Sequence, residues 1–166
     1  MHLTEGKARF IESWGALGTN WGISRTMAQV HALLLVSCHS LCADEIMEAL
    51  QISRGNANMS VHSLMDWGLV HKVLKPGDRK DYFEAEKDMV TVMKQIILQR
   101  KRKELDPMIK VLEEISHVKG QCKESEEFCR MVNELRRFST KADSMLENML
   151  TSEKDWMYKV LFRVAG

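Results

Sequence analysis

The chain has 166 residues, enough for one domain or a small domain with a sizeable helical extension. Hydrophobic residues make up 45%, prolines number two, and the formal charge is +1, which together describe a compact, mainly helical protein and exclude a polycationic coating protein. The opening residues resemble no signal peptide, and no apolar run reaches the roughly 20 residues that a bilayer requires, so a cytoplasmic location without membrane contact is expected.

In chain order, residues 4–17 place Ala8, Phe10, Ile11, Trp14 and Leu17 along one helical face. Gly15, Gly18 and Gly22 are expected to loosen the chain around Trp21. Ser24 is placed to cap a second helix through residue 36, apolar nearly all round and so the expected core. Arg25, near its start, is expected at the surface.

Residues 43–50 form a third, short helix with Ile46, Ala49 and Leu50 on its inner face. Gln51-Ile52-Ser53 is the turn, and Ser53 caps a fourth helix from Arg54 to about Trp67. That helix divides by face: Ala57, Val61, Leu64 and Met65 point inward, whereas Arg54, Gly55, Asn58, Met59 and His62 point outward. Polar and long side chains outside a second short helix are what reading a DNA major groove requires. Gly68 ends the helix, residues 69–74 and 81–85 read as a strand pair, and Pro76-Gly77 turns between them. Lys75, Arg79 and Lys80 crowd the hairpin tip, and Asp78 is expected to orient Arg79. Residues 54–80 carry five Lys/Arg against two acids, a patch that suits local docking on phosphates. The expected fold is a mainly α protein with a small β-hairpin wing: a winged helix-turn-helix plus a helical dimerisation region.

Asp88 opens a long helical stretch in which Met89, Val92, Met93, Ile96 and Ile97 recur at helical spacing. The basic run at 100–103 reads as a solvated face. Asp106-Pro107 either restarts a helix or kinks a continuous one. Lys119-Gly120 breaks the pattern, a helix over about 125–150 follows, and a last one holds Trp156, Val160 and Leu161. These helices bear more apolar surface than a winged helix needs. A two-fold dimer built from the last helices together with the first would set two reading helices roughly 34–36 Å apart on a near-palindrome.

Four cysteines, Cys38, Cys42, Cys122 and Cys129, lack zinc spacing and read as reduced thiols. No nucleophile–base pairing, phosphate loop or metal signature is visible, so no catalytic residue, metal or cofactor is assigned and an enzyme is not expected.

The segments Ser53-Arg54-Gly55-Asn56-Ala57-Asn58-Met59, Trp67-Gly68-Leu69-Val70 and Gly77-Asp78-Arg79-Lys80-Asp81-Tyr82-Phe83-Glu84-Ala85-Glu86-Lys87-Asp88 resemble the GbsR-like branch of the MarR-type transcriptional regulators. The resemblance implies a homodimeric, sequence-specific regulator of double-stranded DNA, with repression the expected sign. It implies a DNA-binding domain over 1–87 and a dimerisation region over 88–166. It assigns Ser53, Arg54, Asn56, Asn58, Met59 and His62 to the recognition helix, and Arg79 and Lys80, with Lys75 beside them, to the wing. His62 stands where this branch leads one to expect Arg. A small effector is also implied, a quaternary ammonium compound being one candidate, since ring faces attract such cations. The rings available for it are Phe10, Trp14, Trp21, Trp67 and Tyr82, with Phe83 beside the last. An interaction module that no longer reads DNA is the alternative.

Overall fold

The computed structural model describes residues 1–20, 22–118 and 122–152. Trp21 and the expected last helix with Trp156 lie outside the described residues. The chain divides into two compact units, the first being Met1–Val92 and the second beginning at Met93.

In the first unit, α1 (Leu3–Asn20) and α2 (Arg25–Val36) pack together, followed by β1 (Leu41–Cys42), α3 (Ala43–Leu50), α4 (Arg54–Asp66), β2 (Val70–Val73) and β3 (Tyr82–Ala85). The strands form an antiparallel sheet in the order β1-β3-β2, with Leu41 opposite Phe83 and Val70 opposite Ala85. This is a winged helix: mostly helical, with a small three-stranded sheet. Val30, Leu34, Ile46, Val61, Leu64 and Val70 are fully buried and form its core.

Local chemistry explains the element ends. Ser24 Oγ accepts from the Met27 N–H and Ser53 Oγ from the Asn56 N–H, each satisfying an orphan donor of the helix that follows. At the end of α4, Gly68 takes φ +70°; its N–H bonds the Met65 carbonyl and the Leu69 N–H bonds the Leu64 carbonyl. That pair of bonds is the Schellman arrangement, and Leu64 and Leu69, at its two hydrophobic positions, are both buried.

Four local expectations need correction. Gly15 and Gly18 do not loosen the chain; both are buried inside α1. A Cβ on Gly18 would stand 2.5 Å from that of Ala28, so the glycines let α2 approach α1 closely. The strand β1 was not expected, and Cys42 lies in it. Ala49, assigned to the inner face of α3, is exposed. The basic run at 100–103 is not uniformly solvated, as the second unit shows.

The side chain of Asp88 accepts from the Val90 N–H and the Thr91 hydroxyl at the start of α5 (Met89–Arg100). The helix continues through a π-helical segment, Lys101–Leu105, into α6 (Asp106–Ile115), so Asp106-Pro107 lies within a continuous helical path. Widening at this segment turns Lys101 inward, 9% exposed, to Asp106 and Asp143 at 2.9 Å and Glu147 at 3.0 Å. The last described helix, α7 (Lys123–Thr151), packs against α6. No helix among the described residues is long and apolar enough to cross a membrane.

Candidate nucleic-acid interface

Burial of Ala57, Ser60, Val61 and Leu64 fixes the roll of α4 and turns Arg54, Asn56, Asn58, Met59 and His62 to solvent. Arg54, Asn58 and His62 recur every four residues, so they share one stripe. The wing rises beside this stripe. Its tip is a turn closed by a bond from the Asp78 N–H to the Lys75 carbonyl, with Gly77 at φ +82° after Pro76. Between helix and wing lies an open cleft of about 310 Å³, lined by Arg54, Asn58, His62, Arg79 and Lys80 around Asp44. Five of the nine residues assigned to DNA therefore meet in one place.

Asp44 is the residue that sequence reasoning missed. Standing in the first turn of α3, it accepts from Arg54 Nη2 at 2.7 Å and from Lys80 Nζ at 3.0 Å. The Lys80 hydrogen bond, then the Arg54 charge, holds its carboxyl below the usual carboxylate range. One carboxylate thus ties α4 to the wing tip and occupies two of the cleft's cations. Its signal in the sequence was an acid at the N-terminus of α3, which by itself reads as an ordinary partner of the helix dipole.

The buttressed arginine also differs from the expectation. Asp78 does not hold the Arg79 guanidinium. It accepts from the Lys80 backbone N–H at 2.9 Å and the Tyr82 hydroxyl at 2.7 Å, and these two bonds hold its pKa down. The carboxylate–guanidinium pair of this interface is Asp44–Arg54 instead.

The remaining assigned residues have distinct positions. Ser53 Oγ caps α4 by accepting from the Asn56 N–H, a bond that does not use its own hydroxyl proton. Met59 is 64% exposed, an apolar tip suited to a thymine methyl. His62 Nδ1 lies 2.8 Å from the Asn58 carbonyl. In the neutral ring Nδ1 therefore carries the proton, and Nε2 is left as an acceptor. An acceptor pairs with the amino group of cytosine or adenine, whereas an Arg there would seek guanine. Lys75 holds its ammonium 3.5 Å over the Tyr82 ring centroid, so the wing binds a cation of its own.

Among the described rings assigned to an effector, Phe10 and Trp14 stand together. Phe10 and Trp14 stack on α1 at 5.5 Å, and Trp14 also meets His31 at 6.1 Å. Trp67 closes α4, and one face of Tyr82 is taken by Lys75. Arg25 pairs with Glu12 at the surface, 3.3 Å away. Cys38 and Cys122 are exposed, Cys129 is half-buried and Cys42 buried; all four are free thiols. Among the described residues no group of three or more His, Cys, Asp or Glu is arranged to hold a metal.

No family model and no curated protein matches the chain. A solved structure described as a transcriptional regulator does match, with a TM-score of 0.68 over 87% of this chain and 95% of the other. The fold is one that a transcriptional regulator has. At 18% identity the likeness is one of fold.

Proposed function

We propose that the protein is a sequence-specific DNA-binding transcriptional regulator of the GbsR-like, MarR-type kind, acting as a homodimer on a near-palindromic site and as a repressor. The observation that carries this reading is the convergence of Arg54, Asn58 and His62 on α4 with Arg79 and Lys80 on the wing. Here α4 enters the major groove and presents Arg54, Asn58, Met59 and His62 to base edges. Arg79 and Lys80 hold the flanking phosphates, with Lys75 and Asn56 at the margins. Residues 1–87 serve DNA, and residues 88–166 serve pairing. A small effector, with a quaternary ammonium compound as the candidate class, is best supported at Phe10 and Trp14, because the Tyr82 face already holds Lys75.

Affinity for duplex DNA measured against salt concentration tests the division of labour. Arg79→Ala and Lys80→Ala are expected to weaken all sequences alike and to lower the log–log salt slope by about one each. An unchanged slope for both variants removes the wing from the interface. One observation favours the other reading, a protein-interaction module: Asp44 already neutralises two of the site's cations. On that reading Arg54→Ala and Arg79→Ala leave partner binding intact.

A further inference from the structure

His62 is exposed and lines the cleft between α4 and the wing. Its Nδ1 lies 2.8 Å from the backbone carbonyl of Asn58, one turn back on the same helix. A carbonyl only accepts, so Nδ1 carries a proton in the neutral ring and in the charged ring alike. Titration is therefore confined to Nε2, on the other side of the ring. That nitrogen accepts a hydrogen bond when the ring is neutral and donates one when it is charged. Because the anchor is the main chain of α4, a change of protonation reverses the chemistry of the tip without turning the ring over.

We propose that His62 reads a purine through the protonation state of Nε2, selecting adenine when the ring is neutral and guanine when it is charged. The two purines present N7 alike in the major groove and differ in the exocyclic group beside it. Adenine carries an amino group there, which donates to neutral Nε2. Guanine carries an oxygen, which with N7 accepts from the charged ring. Arginine only donates and could not make this change. The inference rests on the proposed docking of α4 in the major groove and goes beyond it, because one base of the preferred site becomes a function of pH.

Opposed charges surround the ring. Arg54 on α4 and Arg79 and Lys80 on the wing disfavour a charged imidazole, whereas Asp44 on α3 and Asp81 on the wing favour it; the Cys42 thiol lines the same cleft. Asp44 bonds Arg54 and Lys80, and Asp81 pairs with Lys72. Asp66 follows one turn further along α4. Bound DNA adds phosphate charge beside the ring. A guanine-bearing site is then bound with uptake of a proton, and its affinity relative to the adenine-bearing site rises as pH falls.

Selection of bound duplexes from a random library by the full chain, at about pH 8 and about pH 6, tests this, since imidazole rings change charge across that range. One site is expected at both pH values, with adenine giving way to guanine at the position that His62 reads. Two duplexes differing only in that pair should change their affinity ratio by about tenfold between the two conditions. A ratio taken on one protein sample is insensitive to any loss of folded protein at the lower pH. His62→Gln should hold adenine and His62→Arg guanine, each at both pH values, and the exposed position admits both side chains. A site with the same bases at both pH values overturns the inference and leaves DNA reading intact, as does a shift that persists in His62→Gln. Recovery of no site at either pH overturns the proposed function and this inference with it.

Discussion

His31, on α2, is 3% exposed, lies against Trp14, and its Nε2 has no hydrogen-bond partner. Burial pushes its pKa down to about 4. The folded protein keeps this ring neutral, whereas the unfolded chain takes up a proton at the ordinary 6.5. Stability is therefore whole above that value and falls as pH drops from 6.5 toward 4, by about 3 kcal/mol from this residue. Urea unfolding at several pH values is expected to show this slope in the wild type and a shallower one in His31→Leu. Equal slopes would contradict the assignment. Arg54 and Asp44 make the second residue-scale prediction. Arg54→Ala should cost about 1–3 kcal/mol on the preferred site and much less on scrambled duplex. Asp44→Asn should do something different: it removes the carboxylate that holds Arg54 and Lys80 and frees both. Affinity for all duplexes is expected to rise, the salt slope to steepen, and discrimination to fall. Weaker binding to every duplex would show that Asp44 is needed to build the site.

Among the elements, the contact of α1 with α2 depends on Gly18. With Ala28 Cβ 2.5 Å away and Ile23 at 3.0 Å, Gly18→Ala forces the helices apart and should destabilise by about 1–3 kcal/mol. Thermal unfolding checks it; a neutral change would mean that the helices separate freely. Lys101 is a comparable case in the π-helical segment. Lys101→Met leaves Asp106, Asp143 and Glu147 without their shared cation and should destabilise the unit at neutral pH, by about 1 kcal/mol because the carboxylates are partly solvated. Both features mark the limit of sequence reading. Helices with strong caps and one apolar stripe, such as Ser24 with α2 and Ser53 with α4, were legible because local chemistry determines them. Whether a glycine loosens a helix or admits a neighbour depends on what packs against it, and sequence spacing does not carry that. The same holds for Lys101: in the sequence it is one of four consecutive cations, and its burial follows from the π-helical segment and from acids some forty residues away. Two-residue β1 was invisible because its reason for existing is the edge of β3.

For the whole molecule, a net charge of +1 understates what the surface can do, because cations are concentrated beside α4 and at the wing. The winged-helix fold and the outward face of α4 were both legible, since burial of one helical stripe dictates the opposite one. The tie of Arg54 and Lys80 to Asp44 was not, because it joins residues 10 and 36 positions apart through tertiary structure. The central claim is that this arrangement reads DNA sequence. Selection of bound sites from a random duplex library at near-physiological salt tests it most directly. The account predicts recovery of a short near-palindrome with half-sites about one helical turn apart. Recovery of sequences no more alike than the starting library would contradict it.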